Sequence, residues 1–439
     1  MECPSKITMY IKQIIDIFKS KAFGIFVMKK IIFSCCLISF VLNIQAQMCG
    51  CTDVLATNYN PNATINDGSC LYNSATINYA NSWLLPQTLN ETSGLLIWNQ
   101  KFWTHNDDTD NHIYGFDTLD IDNYTAYPLE LCVNNDWEEI SQDEDYLYIG
   151  DFGNNVNGNR TDLKILRVDK ISLLQNNPII DTISFSYSLQ SDFSPTCSNN
   201  SNFDCEAFVV STDSIYLFTK EWVSKKSTIY SLPKIPGNYI ANFVAQYNVQ
   251  GLITGATYLE DKRLVALSGY SQLLQPFIFL LYDFQNHDFF GGNKRKITLN
   301  IPLHQTEGIA SNDGLIYFIS NERFTQSEFT SEAKIHRFDL SNYLNNYINP
   351  TTADINSTGK NAEYCLYPNP TNDLLHIKIP DCNSFQMTVY NSLGQKIDIY
   401  QSYSSELIIN VSNYKKGVYF YIIHPKEGKN IKGKFIVDE

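Results

Sequence analysis

The chain has none of the short signatures that mark common catalytic and metal centres. There is no Gly-x-Ser-x-Gly elbow, no Walker loop and no His-Glu-x-x-His pair, which argues against elbow hydrolases, P-loop enzymes and helix-borne zinc proteases. No Cys-x-x-Cys pairs recur at zinc-binding spacing. Charge is sparse, at 18% of residues, and no basic run or basic-aromatic patch offers a surface to a nucleic acid polymer. The apolar run Ile31–Leu42 is too short for a stable membrane span, so the mature form should have no transmembrane segment.

Aromatics and small polar residues fill the place of charge. The chain has 28 Tyr and 26 Phe, as expected for many short, half-buried strands. Residues 1–46 differ from the rest. Met28-Lys29-Lys30, the apolar run and Gln45-Ala46-Gln47 form a secretory signal peptide, with the true start at Met28 and residues 1–27 a misassigned extension. Without this leader, which holds six Lys and two acids, the formal charge moves from −14 to −18. So acidic a body favours cation binding or plain solubility. Three of the 11 cysteines fall in the leader, and an even remainder in an exported chain suggests disulfides. The expected pairs are Cys51–Cys70, Cys197–Cys205 and Cys365–Cys382, with Cys49–Cys132 left by elimination.

One pattern recurs through residues 74–348. Asp136-Trp137-Glu138-Glu139 leads through a strand and a tight acidic turn to Tyr146–Ile149 and Gly150-Asp151. The same order starts at Thr92-Ser93-Gly94, Asp204-Cys205-Glu206, Ile253-Thr254-Gly255 and Thr306-Glu307-Gly308. A repeat of roughly 45 to 70 residues made of short strands implies four-stranded blades in a β-propeller. The count is five blades, with six still open. The last unit lacks a fourth strand, and Ala75–Tyr79 is expected to supply it and close the ring.

In a closed ring the first strands line the channel. Ser93, Glu138, Glu206, Thr254 and Glu307 should therefore meet at one mouth, ringed by Asp107, Asp151, Glu221 and Glu322. Converging carboxylates repel unless a cation or proton intervenes, and hard oxygen donors suit calcium. His105 beside Asp107 could serve as a base or metal ligand, although a lone histidine in a polar turn is more often a turn residue. Trp137 and Trp222 could stack on a sugar or base; packing between blades is the more common use.

Two smaller modules flank the propeller. Residues 47–73 are Cys-bounded and Asn-rich; their Asn and Asp side chains can cap turns or hold calcium, without the full pattern of an EF-hand loop. After a polar linker, 349–363, residues 364–439 carry Tyr367-Pro368-Asn369-Pro370, Leu393-Gly394 and Gly417-Val418-Tyr419 in order. This segment resembles the C-terminal sorting domain of the type IX secretion system. The resemblance implies a small β-sandwich read by the secretion machinery, then cleaved and replaced by a lipopolysaccharide anchor. The protein would be secreted across the outer membrane and either anchored at the cell surface or released.

The order Ser, Glu, Glu, Thr, Glu at the blade starts resembles the calcium-activated nucleotidases (apyrases), five-bladed propellers with calcium in the central tunnel. That likeness implies tunnel ligands at Ser93, Glu138, Glu206, Thr254 and Glu307. The family's Arg-Thr-Gly after the first blade's second strand is absent here, where Asn106-Asp107-Asp108-Thr109-Asp110 stands. Arg160, Arg263 and Arg323 are the guanidiniums near blade loops. Two functions follow: a non-catalytic propeller binding a surface or small-molecule ligand, with channel calcium, or a calcium-dependent phosphohydrolase of nucleotidase type. The acidic mouth without phosphate-binding cations favours the first.

If residues 364–439 are a cleaved address, mass spectrometry of surface-released protein will find an N-terminus near Gln47 and a C-terminus between Pro350 and Tyr364. Abundant mature protein retaining Lys434-Phe435 would contradict this.

Overall fold

The computed structural model describes residues 48–118, 120–130, 132–326, 328–350, 365–379, 382–392, 394–426 and 430–438. The expected signal peptide and its start, with nearly all of the expected linker, lie outside the described residues. The fold is all-β, a five-bladed propeller followed by a β-sandwich.

Blade 1 runs Thr92–Trp98, Lys101–Asn106, His112–Asp117 and Asp120–Pro128 from axis to rim. Blade 2 is Trp137–Gln142, Tyr146–Asp151, Lys164–Asp169 and Ile180–Tyr187, and blade 3 is Cys205–Val210, Ser214–Thr219, Ser227–Pro233 and Gly237–Tyr247. Blade 4 is Leu252–Leu259, Leu264–Tyr270, Pro276–Tyr282 and Asn293–Leu299; blade 5 starts with Thr306–Ala310, Ile316–Asn321 and Lys334–Asp339. The inner strands pack in a closed cycle, blade 5 against blade 1.

Strand periodicity explains why the blades stack. Successive side chains point to opposite faces, and both faces of a blade are buried. On the second strand of blade 2, Leu147 and Ile149 join Trp103 and Trp137 in the core between blades 1 and 2. Tyr148 faces the other way, into the core with Phe208, Leu217 and Tyr230 of blade 3. At about 25 cal/mol per Å² of apolar surface, such interfaces supply most of the stabilisation.

Ring closure departs from the sequence expectation. The fourth strand of blade 5 is Asn81–Leu84, antiparallel to Lys334–Asp339 with Leu84 opposite Lys334. The expected piece, Ala75–Tyr79, instead lays Thr76–Ile77 parallel to the outer strand of blade 4. Both segments pass an open edge, and packing decides between them. Ile77 sits on the core containing Ile297 and Leu299, whereas Trp83 packs with Phe318 and Ile335. A second seam was not visible in the sequence: the outer strands of blades 2 and 3 pair in parallel, Ile183–Tyr187 against Gly237–Ala241.

The Cys51–Cys70 disulfide is present. The other three expected pairs are not. Cys132, Cys197, Cys205 and Cys382 are free thiols, and Cys49 is disulfide-bonded without Cys132. Cys205 is buried on an inner strand, its Sγ directed at the Ala207 and Phe218 carbonyls, so nearness in sequence to Cys197 did not bring the sulfurs together.

The Asn-rich module uses its polar side chains as turn caps. Asp53, Asn60, Asn66 and Asp67 each accept the backbone N–H two residues on, at 2.8–3.0 Å. It docks on blade 4 at the end remote from the blade starts. Tyr282 donates to Asp53 at 2.6 Å, and Asn66 donates to Asp283 and Asn293 at 2.9 Å each. The C-terminal domain stacks a three-stranded sheet on a four-stranded one over Leu375, Ile377, Met387, Ile409 and Phe435. Among the described residues no helix is long and apolar enough to cross a membrane.

Candidate functional site: the channel mouth

Each inner strand breaks register where the sequence pattern repeats. Trp137 lies opposite Asp151 and Glu139 opposite Gly150, so Glu138 is the extra residue of a β-bulge. Glu206 is extra between Cys205 and Ala207, and Thr254 between Ile253 and Gly255. In blade 1 Gly94 and Leu95 share Thr104; in blade 5 Glu307 and Gly308 share Ser320. A bulge re-aims one side chain and sharpens the local bend. Five of them at one height turn the blade starts toward a common axis. Second-strand hydroxyls repair the interrupted ladder: Thr104 donates to Gly94 O at 2.8 Å, and Ser320 accepts from Gly308 N at 3.0 Å.

Glycine after the blade-start residue is required by crowding. A Cβ on Gly94, whose φ is +46°, would lie 2.6 Å from Ile140 N, and one on Gly308 would lie 2.5 Å from Gly94 C. Across this contact runs Glu139, fully buried. Its carboxylate accepts Ala256 N–H of blade 4 at 2.6 Å and Ile140 N–H of blade 2 at 2.9 Å, with Leu95 N–H of blade 1 as a third donor. Burial pushes its pKa well up, and the three donors oppose that shift. Sequence reading passed over Glu139 in favour of its neighbour.

The five expected ligands are all buried, but they do different things. Glu138 and Glu206 come together with Asp204, their carboxylate oxygens within 4.8 Å of one another. Ser93 donates to Glu138 O at 2.6 Å, and Thr254 to Thr306 O at 2.5 Å, so both hydroxyls tie adjacent blades together. Glu307 faces Lys220, Glu206 and Glu322 electrostatically.

Lys220 is the residue the sequence did not announce. Only 4% exposed, its ammonium is paired with Glu206 and lies 4.8 Å from the Trp222 ring centre and 5.2 Å from that of Tyr270. Burial disfavours its charge, but Glu206, Tyr270, Glu307 and Asp204 outweigh this and hold its pKa well above the ordinary value. One ammonium does not balance the acids. Burial, then Glu206, Asp136 and Asp204, push Glu138 well up; burial and Asp204 raise Asp136 to about 6.

A second carboxylate group, Glu91, Asp107 and Glu322, lies where blades 5 and 1 begin. Burial and its like-charged neighbours, Glu322 first, raise Asp107 to about 8, and burial with Glu91 raises Glu322 to about 7. The other two expected rim acids are internally satisfied. Asp151 pairs with Arg160 at 2.8 Å and Lys164 at 2.7 Å, and Glu221 accepts Thr228 Oγ1 at 2.5 Å and Gln246 Nε2 at 3.2 Å. The guanidiniums stay within their own blades: Arg160 on Asp151 and Asp162, Arg263 on Asp283, Arg323 on Glu332. His105 is fully buried, its pKa lowered by burial to about 4, and it packs edge-on against Trp137. Trp137 is likewise a core residue, with no exposed face for a ligand.

A signal for the missed acids does exist in the sequence. Glu91, Asp136 and Asp204 each stand two residues before the blade-start residue of their unit. The carbonyls at these positions accept the N–H of Asp107, Phe152 and Lys220, so the spacing has a shared backbone cause.

Residues 365–438 match the family described as the secretion system C-terminal sorting domain. The C-terminal sandwich is a type IX secretion sorting domain. It directs the chain across the outer membrane, to the cell surface or to release. No curated protein matches the chain. Among solved structures, it is similar to PorZ, a surface component of the type IX secretion system of Porphyromonas gingivalis. Identity there is 10% and the TM-score 0.33, over 79% of this chain and 45% of PorZ, so the chain spans less than half of PorZ. It is similar also to the α-L-arabinofuranosidase PaAbf62A of Podospora anserina, at 9% identity and TM-score 0.37 over 61% and 98% of the two chains. The Bombyx mori GH32 β-fructofuranosidase BmSUC1 gives 9% identity and 0.36 over 81% and 89%.

Replacing Lys220 by Met should cost about 3–5 kcal/mol of unfolding free energy at pH 7, because Glu206 is left buried without its partner. Glu206 has a raised folded pKa, so the penalty of ionising it vanishes as pH falls toward the unfolded carboxylate range. Urea denaturation at pH 7 and pH 4.5 should therefore show a large loss in the first case and a small one in the second. A loss under about 1 kcal/mol at pH 7, or one independent of pH, would contradict the pairing.

Proposed function

We propose that this exported chain is a non-catalytic, ligand-binding propeller whose channel mouth holds a calcium ion at Glu138, Asp204 and Glu206. The observation that carries the reading is the charge imbalance in a buried space. Three carboxylates converge where one ammonium is available, and Asp136 and Glu307 add to the excess. The donor set fits a hard cation: all oxygen, all anionic, and close enough to share one ion. Bound calcium would supply the missing positive charge and fix the carboxylates without protonating them. Ser93 and Thr254 hold blades together, and Glu307 adds negative charge that Lys220 feels.

A phosphohydrolase of nucleotidase type is the weaker reading. A diphosphate entering this mouth would meet acids on most sides, and the three blade-loop guanidiniums are each committed to a carboxylate. Lys220 is engaged by Glu206. A bound partner or small molecule needs no such cations.

Calcium binding to the folded state alone should raise the melting temperature, by the equivalent of about 2.7 kcal/mol at a hundredfold excess over Kd, and chelator should reverse it. Glu138→Gln removes a ligand charge, so it should weaken the calcium response and destabilise the protein in excess calcium. Differential scanning calorimetry decides the sign. A wild type indifferent to calcium, and stabilised by Glu138→Gln through relief of repulsion, would overturn the metal site.

A further inference from the structure

Beside the channel mouth, the loop joining the second and third strands of blade 2 walls a cavity of about 280 Å³. This size lies just below the roughly 300–1,000 Å³ of small-molecule sites, and suits one compact unit rather than an extended chain. The walls are held from two sides. Asn154 N–H donates to Asp204 at 2.7 Å and its side chain to Phe203 O at 3.1 Å. Thr196 and Asn199, in the long connection between blades 2 and 3, donate backbone N–H to Asn157 O and Asn155 O at 2.8 Å. Arg160 turns its guanidinium inward, to Asp151 at 2.8 Å, Gly153 O at 2.9 Å and Asp162 at 3.0 Å. Such bracing lowers the ordering cost of binding.

The floor is set by Gly153. A Cβ there would fall 2.2 Å from both Asp136 Oδ2 and Glu138 Oε1, so the missing side chain lets the cavity reach the carboxylates of the mouth. Asn157 and Asn159 are among the residues that line the cavity, with Asn135 and Asn154. An amide presents donors and an acceptor side by side, which matches hydroxyl groups that themselves donate and accept. The lining disfavours other classes. It contains no aromatic ring to stack a nucleobase. Arg160 is already matched by two carboxylates, and the acids beneath repel phosphate or carboxylate ligands.

We infer that this cavity binds a single neutral sugar residue of a polyhydroxylated ligand, held by Asn157, Asn159 and the Asp136 carboxyl. The inference rests on the ligand-binding reading above and is independent of the calcium ion.

Saturation-transfer NMR and calorimetry on the propeller-containing full chain would test it, with neutral monosaccharides to tens of millimolar as probes and inorganic phosphate and spermidine alongside. At least one neutral sugar should saturate. Asn157→Ala and Asn159→Ala should each lower its affinity tenfold or more with the melting temperature unchanged. No saturable neutral sugar, binding indifferent to both substitutions, or preference for phosphate or spermidine would overturn the inference. The calcium response in the same samples separates the two readings. Calcium stabilisation without sugar binding removes the cavity alone, and sugar binding without calcium stabilisation removes the ion alone.

Discussion

The like charge brought together at the propeller axis is the constraint on which the remaining structure turns. A ring of five inner strands is narrow, and each strand enters it through a bulge at or just after its blade-start residue. Where the blade-start residue is Ser93 or Thr254, the hydroxyl donates to the next blade and fastens the ring. Where it is Glu138, Glu206 or Glu307, negative charge is buried instead. The fold tolerates this because Glu139 is fully hydrogen-bonded and Lys220 neutralises one partner. The rest of the excess is left for a proton or a cation, which is the physical ground for a functional mouth.

The two ends of the propeller are built differently. The Asn-rich module docks through Tyr282, Asp283 and Asn293, at the turn between the third and fourth strands of blade 4. Lys378 of the sorting domain pairs with Asp288 in that same turn. Both attachments are on the end away from the blade starts. The acid clusters and the cavity belong to the other end, at the starts of the inner strands and the loops beside them.

Much of this was legible because strands have a period and blades repeat. The recurring Thr-Ser-Gly, Trp-Glu-Glu and Thr-Glu-Gly marked the blade starts before any pairing was known, but not the bulges there or the burial of both blade faces. Glycine after Ser93 and Glu307 was visible; its cause, two backbones in contact, was not. What stayed hidden depends on who meets whom across the ring. Lys220 reads as an ordinary strand-end lysine until Glu206 is placed beside it. The closing strand and the thiols misled for a related reason: Thr76–Ile77 and Asn81–Leu84 look alike locally, and Cys197 lies near Cys205 only along the chain.

The central claim is that one hard cation completes the buried acids. Anomalous diffraction from crystals grown with calcium tests it most directly. The account predicts a single peak at about 2.3–2.6 Å from oxygens of Glu138, Asp204 and Glu206. No peak there, with the carboxyls instead hydrogen-bonded to each other through shared protons, would contradict it.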